Sequence, residues 1–160
     1  MMYKKKQKGV YTIEFAIVAS IFFILFFAVL EFSRLMYTWN VLTEISRRGA
    51  RLATVCNVLE DTDDQQSLYQ SPAVLNAATF ADINLLPNLS SANLNISYLN
   101  LNGSTATSFS NIRLVRAKVV DYQHQLLIPF FDITLNSPSF STTLPAESLG
   151  VTRYKYTDCL

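Results

Sequence analysis

Residues 8–30 read KGVYTIEFAIVASIFFILFFAVL, and this stretch determines how the rest of the chain is interpreted. Within it, Phe15–Leu30 contains sixteen residues, of which Ser20 alone is polar. A helix needs about 20 apolar residues to cross the hydrocarbon core of a bilayer. The run reaches that length only together with its flanks, so we expect a membrane-spanning segment over residues 10–33.

Charge is distributed unevenly around this apolar run. The net charge is +1, but four lysines lie before Gly9, and the rest of the chain carries nine Lys and Arg against twelve Asp and Glu. Because positive flanks stay on the cytoplasmic side, we expect the N-terminus in the cytoplasm and the body of the protein outside it. A slightly acidic body is a poor nucleic-acid binder, since such binding neutralises phosphates. Membrane lipid is an expected partner, and nucleic acid is not.

The apolar run allows three interpretations. A secretory signal peptide should end in a small-residue cleavage site, and the bulky residues that follow Ala28-Val29-Leu30 make it the weakest of the three. A plain N-terminal anchor would keep Glu14 as an interfacial charge in the first helical turn, where negative charge is favourable. A prepilin-type leader would instead be cut after Gly9 by a peptidase on the cytoplasmic face.

The third interpretation explains why a carboxylate stands at the mouth of the run. A cut after Gly9 makes Val10 the new N-terminus and Glu14 the fifth residue of the mature chain. A carboxylate inside a span is costly and is usually paired. In a bundle of subunits, a neighbour's new α-ammonium can meet Glu14 in a low dielectric, where the attraction is strong. We therefore expect Glu14 and the adjacent Phe15 to serve assembly.

Three motifs follow one another in the first third of the chain. They are Gly9-x-x-x-x-Glu14-Phe15, then Glu31-Phe32 followed by Arg34, and then LTEISRRGARLA at 42–53, which contains Gly49, Ala50 and Arg51. On these motifs the sequence resembles the TadE-like pseudopilins of tight-adherence (Flp) pilus systems, which are similar to type IV prepilins in their processing. The chain departs from the family at Ile45 and Ser46, which replace the usual pair of small residues.

The resemblance implies a location, a role and a set of partners. It implies a non-enzymatic, single-pass protein of the bacterial inner membrane with a periplasmic domain, found in that membrane or in the pilus. Its role would be that of a minor structural or assembly component of a secreted filament. Its partners would be a prepilin peptidase, other pilin or pseudopilin subunits and the inner-membrane assembly platform. The resemblance makes Gly9 the residue before the cut, and it implies no cofactor.

Beyond the membrane, the same helix is expected to continue. No Gly or Pro interrupts residues 10–48, so one helix is predicted from Val10 to Thr54. Its outer half carries a stripe with seven-residue spacing, composed of Leu35, Leu42 and Gly49, of Thr38, Ile45 and Leu52, and of Trp39 and Ala53 at its edge. The stripe packs on the outer domain's own sheet, or part of it contacts neighbouring subunits with Gly49 and Ala50 allowing close approach, and both can hold on different faces.

The rest of the sequence predicts an α+β domain. EDTDDQQ at 60–66 is typical of a solvated loop rather than of a calcium site, and Ser71 and Pro72 begin a predicted helix over 72–83. Strands are predicted at 94–101, within 111–129 and within 139–149. Three or four antiparallel strands should pack on the outer half of the long helix. The predicted domains are a leader at 1–9, a span at 10–33, an amphipathic helical continuation at 34–56 and an outer domain at 57–160.

The chain has two cysteines, Cys56 and Cys159. In an oxidising compartment, a disulfide between them would tie the C-terminus to the end of the long helix and close a loop of about 100 residues. The other interpretation is a pair of buried free thiols. Neither cysteine has the neighbouring Cys or His ligands that a metal site needs, so no metal is expected.

Enzyme chemistry has little support in the sequence. His124 is the one histidine and lies in a strand-like context, and there is no G-x-S-x-G motif or Gly-rich phosphate loop. We expect His124 to be structural and the protein not to be an enzyme. The alternative function is an uncleaved, membrane-tethered outer domain that binds a soluble ligand or an adhesion target.

Overall fold

The computed structural model describes residues 9–60, 68–128, 131–157 and 159. The chain divides into two compact units, residues 1–37 and 38–160, and each is described by itself. Helix α1 spans Val10–Val55 and contributes residues to both units. This confirms the predicted helix from Val10 to Thr54 to within one residue.

The second unit contains the remaining elements. In chain order they are β1 (Leu59–Glu60), β2 (Leu68–Tyr69), α2 (Pro72–Ala78), a 3₁₀ turn (Ser91–Asn93), β3 (Leu94–Leu99), a second 3₁₀ turn (Phe109–Asn111), β4 (Leu114–Val119), β5 (Gln123–Ile128), β6 (Phe131–Asn136) and β7 (Ser141–Pro145). The strands pair in three antiparallel groups, in the orders β1-β2, β3-β4-β7 and β5-β6. A long helix with small antiparallel sheets is an α+β fold, as predicted.

The three-stranded sheet supplies one side of the core. Its central strand, β4, pairs with β3 on one edge and with β7 on the other. Val115, Ala117 and Val119 of β4 are buried. Lys118 is exposed and Arg116 is half-buried, so the strand shows the predicted alternation between its two faces.

The apolar stripe of α1 supplies the opposite side of the core. The buried residues of α1 are Thr38, Leu42, Ile45, Ser46, Gly49, Ala50, Ala53 and Thr54, and the stripe residues Leu35, Trp39 and Leu52 are half-buried. A Cβ on Gly49 would lie 3.0 Å from Leu94 Cδ2 and 3.3 Å from Ala117 Cβ. The first of the two interpretations of the stripe is therefore confirmed for Gly49. The chain's own sheet covers Gly49, and Ala50 is fully buried in the same core, so neither is available to a neighbouring subunit.

Helix α2 begins as predicted and ends earlier. Ser71 is its N-cap, and its side-chain oxygen accepts a hydrogen bond from the Val74 backbone N–H at 3.3 Å. The prediction of a helix to residue 83 is wrong, because α2 ends at Ala78 and turns follow. Phe80 has a φ of 55°, a left-handed conformation that a right-handed helix cannot contain.

The predicted strand at 94–101 also ends early. β3 stops at Leu99, and the Asn100 N–H donates to the Ser104 carbonyl at 2.8 Å. Gly103 has a φ of 84°, which suits the tight turn expected at this position. The predicted loop at 60–66 falls on residues 61–67, which lie outside the described residues, apart from Glu60 at the end of β1.

The region within 111–129 contains two strands that belong to different sheets. β4 ends at Val119, and Asp121 has a φ of 53°, which turns the chain. β5 then leaves the three-stranded sheet and forms a separate hairpin with β6. No pattern noted in the sequence predicts β6 or the two-residue strands β1 and β2.

A disulfide links Cys56 to Cys159, with Cα atoms 5.6 Å apart, and this confirms the first of the two interpretations of the cysteines. The C-terminal segment is held at the same end of α1 by the Asn57 N–H, which donates to the Thr157 carbonyl at 3.2 Å. Gly150 has a φ of 81°, and a Cβ there would lie 2.4 Å from Asn57 Cα. Only glycine fits this close approach of two backbones.

Candidate functional site

The first part of α1 presents an apolar surface on all sides. From Val10 to Leu30 every residue is exposed except Ala19, which is half-buried. Among the described residues, α1 is the one helix that is long and apolar enough to cross a membrane. Since monomeric soluble proteins rarely expose apolar patches larger than a few hundred Å², a bilayer is the solvent that fits this surface.

Phenylalanine rings line this part of the helix in contacting pairs. The Phe22 and Phe26 ring centroids are 6.2 Å apart, and those of Phe23 and Phe27 are 6.3 Å apart. Both pairs have i,i+4 spacing, which places the rings one above the other on the helix surface. The rings therefore form continuous apolar ridges that face outward.

Two serine hydroxyl groups of this segment are satisfied within the helix. Ser20 Oγ donates to the Ala16 carbonyl at 2.8 Å, and Ser33 Oγ donates to the Val29 carbonyl at 2.8 Å. Hydrocarbon offers no water to satisfy a polar group, so a side chain in it must find a partner in the protein. These two serines meet that requirement without a neighbouring chain.

Glu14 lies where α1 has just begun. The helix starts at Val10, so Glu14 is its fifth residue, and the first turn contains no acidic residue. This differs from the plain-anchor interpretation, which places Glu14 in the first turn, and it weakens the stabilisation that the helix dipole would offer. Glu14 and Phe15 are both exposed, and within the described part of the chain no basic side chain forms an ion pair with Glu14.

Gly9 immediately precedes α1 and is exposed. A Cβ built on Gly9 would meet nothing within 4 Å. Neither the backbone geometry nor the packing of the described residues therefore demands glycine here. A requirement for glycine at this position would have to come from another molecule.

The second motif contains an ion pair within α1. Arg34 Nη1 donates to Glu31 Oε1 at 3.0 Å and to Oε2 at 2.8 Å across an i,i+3 spacing. Each charge neutralises the other close to the end of the apolar run. Phe32, between them in sequence, is exposed and extends the apolar surface. Glu31 therefore has a counter-ion within its own helix, whereas Glu14 has none among the described residues.

The third motif, LTEISRRGARLA, acts mainly within the fold. Its small residues Gly49 and Ala50 are buried, Gly49 against Leu94 and Ala117 of the sheet, and Arg51 is exposed. Ser46 Oγ lies 2.9 Å from Thr142 Oγ1 of β7. Ser46, one of the two positions where the chain departs from the family, thus makes a hydrogen bond to the sheet.

Thr38 makes a contact that was not predicted from the sequence. Thr38 Oγ1 lies 3.3 Å from His124 Nδ1, and both side chains are buried. His124 belongs to β5, so this contact joins the β5-β6 hairpin to α1 at the first residue of the second unit. The expectation that His124 is a structural histidine is therefore met.

Two surface cavities in the described residues are lined by a mixture of charged and apolar side chains. The larger, of about 370 Å³, is lined by Glu44, Arg48, Arg51, Leu52, Thr54, Val55 and Glu147. The Arg48 guanidinium lies 4.3 Å from the centre of the Phe80 ring. Four of the seven lining residues are charged, and apolar atoms form most of the lining surface, so this cavity does not discriminate between the two proposed functions.

Comparison with known proteins bears on the first third of the chain. Residues 9–51 match the family model described as TadE-like protein. The matched range begins at Gly9 and ends at Arg51, so it contains the first two motifs and residues 42–51 of the third, and it confirms the resemblance over these residues. No curated protein and no solved structure matches the chain significantly.

Proposed function

Because residues 9–51 match the TadE-like family, we propose that the protein is a Tad pilus-related minor pilin or pseudopilin. It helps to assemble a tight-adherence (Flp-type) pilus or a related secretion filament. A leader at 1–9 is removed by cleavage between Gly9 and Val10. Residues 10–33 then span the bacterial inner membrane, residues 34–56 continue the helix outside it, and residues 57–160 form the periplasmic domain.

The position of Glu14 carries this proposal. It is a carboxylate in an exposed, otherwise apolar helix surface, with no counter-ion among the described residues. Cleavage after Gly9 removes the four leader lysines and creates an ammonium group on Val10. The same event therefore supplies the cation that an intramembrane carboxylate needs.

The helix geometry supports one particular register for the proposed assembly. Val10 and Glu14 are four residues apart, which is about 6 Å along a helix axis. Two parallel subunits offset by about that distance would place the Val10 ammonium of one beside the Glu14 carboxylate of the other. In the low dielectric of the membrane, this attraction favours one offset over others. Glu14 thus selects the register, and Phe15 and the phenylalanine ridges provide contact area.

The proposed partners follow from these steps. A prepilin peptidase recognises Gly9, whose missing side chain leaves the backbone accessible. Other pilin or pseudopilin subunits supply the neighbouring helices, and the inner-membrane assembly platform and lipid surround them. Glu31 and Arg34 neutralise each other within α1, and this pairing favours a position of the Glu31-Phe32 motif at the membrane interface.

The N-terminal sequence of the protein extracted from membranes tests the proposal. Cells that contain the cognate peptidase should yield a chain that begins at Val10, and cells that lack it should yield the uncleaved chain. A chain that retains Met1 or Met2 in both strains would overturn the proposed cleavage. It would favour the alternative of an uncleaved, membrane-tethered binding domain.

A further inference from the structure

The three-stranded sheet has a second face, which is turned away from α1. Ala117 of β4 lies against Gly49 of α1, and successive residues of a strand point to opposite faces. Arg116 and Lys118 therefore lie on the face opposite to the helix. The strand register places one residue of β3 and one of β7 beside each of them, in the two rows Asn95–Lys118–Ser141 and Ser97–Arg116–Thr143. These six residues form what we call the polar face. Its exposed members are Asn95, Lys118, Ser141 and Thr143, and its half-buried members are Ser97 and Arg116.

The polar face carries two cations and no carboxylate. Residues 57–160 contain nine Asp and Glu against five Lys and Arg, yet β3, β4 and β7 contain no acidic residue. Neither Arg116 nor Lys118 forms an ion pair with a carboxylate of the described residues. Each cation stands between two neutral side chains that carry a hydroxyl or an amide group. The face therefore attracts anions, although the domain as a whole is acidic.

Arg116 is held in one orientation by its neighbour on β7. Its Nε donates a hydrogen bond to Thr143 Oγ1 at 3.1 Å. This bond uses one of the five N–H groups of a guanidinium and leaves those on Nη1 and Nη2 for another acceptor. An oriented guanidinium loses less conformational freedom when it binds, and its fork of donors fits a carboxylate in a bidentate manner. Thr143 is thus a positioning residue for Arg116.

The side chains on β3 offer further hydrogen-bond donors to the same face. Ser97 Oγ donates to Asn95 Oδ1 at 3.0 Å. This bond fixes the orientation of the Asn95 amide and leaves its two N–H groups for another acceptor. Across the sheet, the exposed hydroxyl of Ser141 completes the row that contains Lys118. The two cations are therefore surrounded by groups that bind neutral oxygen atoms.

The composition of the polar face separates it from other surfaces that bind anions. It contains no aromatic ring on which the bases of a single-stranded nucleic acid could stack. It also contains no large apolar side chain of the kind that anchors a protein partner or enters a membrane surface. In the adjoining row of the sheet, Leu99 is buried and Leu114 is half-buried, so Pro145 is its one exposed member. A saccharide chain with uronic-acid units matches the face, because it presents carboxylates among hydroxyl groups.

We propose that the polar face of the β3-β4-β7 sheet binds an acidic polysaccharide that carries uronic-acid carboxylates. Arg116 and Lys118 bind the carboxylates, and the neutral side chains beside them bind the sugar hydroxyls. The two cations are two residues apart on one strand, or about 7 Å, so they can engage two carboxylates of one saccharide chain. This site gives the outer domain a carbohydrate attachment beyond its proposed part in filament assembly, and it does not depend on cleavage after Gly9.

Isothermal titration calorimetry of the full chain in a polyoxyethylene detergent tests this site, since such a detergent carries neither sugar nor charge. The probes are oligogalacturonate and oligomannuronate, and the unsubstituted chain should bind both. Arg116→Gln and Lys118→Gln should each raise the Kd at least about tenfold, because each removes a charge-assisted hydrogen bond. Arg47→Gln removes the same charge from an exposed position of α1 and should change the Kd by less than about twofold.

Two substitutions at Thr143 test the positioning of Arg116. Thr143→Val removes the hydroxyl acceptor and should weaken binding about threefold, as the loss of one neutral hydrogen bond implies. Thr143→Ser keeps the acceptor and should bind as the unsubstituted chain does. Lys118 is exposed, so Lys118→Gln still tests the site if a change at Arg116 disturbs the fold.

Four outcomes would overturn the inference. The first is a Kd above about 1 mM for both oligouronates. The second is equal binding of poly-L-glutamate, which has carboxylates but no hydroxyls, because the face would then respond to charge alone and would suit an acidic protein. The third is tighter binding of single-stranded DNA than of either oligouronate. The fourth is a loss for Arg47→Gln as large as that for Arg116→Gln, which would assign the effect to the total charge of the chain.

Discussion

Gly49 of α1 packs directly against Ala117 of β4, so that a Cβ on Gly49 would lie 3.3 Å from the Ala117 Cβ. Leu94 of β3 is still closer, with its Cδ2 atom 3.0 Å from the same position. Gly49, Ala117 and Leu94 are all buried. The spacing between the helix and the sheet is therefore set by the absence of a side chain at position 49.

The substitution Gly49→Val should destabilise the second unit by about 2–3 kcal/mol, because two further methyl groups cannot fit without moving the helix from the sheet. Gly49→Ala should change stability by less than about 1 kcal/mol, since its gain in helix propensity offsets the tight contact. Urea unfolding of the full chain in detergent micelles, followed by Trp39 fluorescence, measures both. The control is Arg47→Val on the exposed side of α1. Equal losses for Gly49→Val and Arg47→Val would contradict the packing explanation.

The parts of the fold that could be predicted are those with local signals. The long helix follows from an uninterrupted run without Pro, and the start of α2 follows from Ser71 as a cap followed by Pro72. The alternation in β4 shows directly which face is buried. Each of these signals depends on residues close together in sequence, so each can be recognised from the amino-acid sequence alone.

The parts that were missed depend on contacts between distant residues or on single backbone angles. α2 ends because Phe80 adopts a φ of 55°, and phenylalanine carries no signal for that conformation. β5 pairs with β6 and not with β4, and its His124 contacts Thr38, 86 positions away, so this arrangement has no local signal. The role of Gly49 remained open between two interpretations until its neighbours across the sheet were known.

Reduction of the Cys56–Cys159 disulfide should lower stability by up to about 4–5 kcal/mol, because the bond closes a loop of about 100 residues and so restricts the unfolded chain. Cys56→Ser, Cys159→Ser and the double substitution should be equally destabilising, since each removes the same bond. Thermal unfolding with and without reductant measures the effect. The melting temperature of the unsubstituted protein should fall with reductant and that of the double variant should not. Non-reducing peptide mapping that finds both thiols free would refute this pairing.

Stability should decrease at high pH through Tyr98. Burial raises the pKa of the Tyr98 phenol above its ordinary value near 10, and the hydrogen bond donated by Gln70 Nε2 at 2.7 Å lowers it in part. The folded state thus holds this proton more tightly than the unfolded chain. The contribution is complete below about pH 10 and is lost as the pH rises towards the folded-state pKa, at no more than about 1.4 kcal/mol per pH unit.

Urea unfolding between about pH 8 and pH 12 checks this dependence. The two limits lie about two units on either side of the ordinary tyrosine pKa. Tyr98→Phe should make the free energy of unfolding fall less steeply above pH 10, although it lowers stability at pH 8 by removing the acceptor of Gln70. Tyr154→Phe, at an exposed tyrosine, should leave the slope unchanged. Equal slopes for the Tyr98→Phe variant and the unsubstituted protein would show that Tyr98 does not titrate as described.

Gly9→Leu should block processing while leaving the fold intact. A peptidase that must approach the backbone at Gly9 is obstructed by a leucine side chain, whereas the described structure has open space around this position. Immunoblotting of membranes should show the full-length chain alone. The melting temperature of the variant should equal that of the uncleaved, unsubstituted protein. Normal cleavage of Gly9→Leu would count against a cut after this residue.

Glu14→Gln should leave membrane insertion and cleavage unchanged and reduce filament number at least about tenfold, which corresponds to about 1.4 kcal/mol lost from each subunit contact. The amide keeps the shape of the carboxylate and removes the charge that attracts the Val10 ammonium of a neighbour. Electron microscopy of filaments and fractionation of the membrane measure the two effects separately. Glu44→Gln, at an exposed carboxylate of the second unit, is the matched control and should assemble normally. If Glu14→Gln assembles as well as this control, the ion pair is not what sets the register, and the apolar ridges of Phe22, Phe23, Phe26 and Phe27 would have to set it by shape alone.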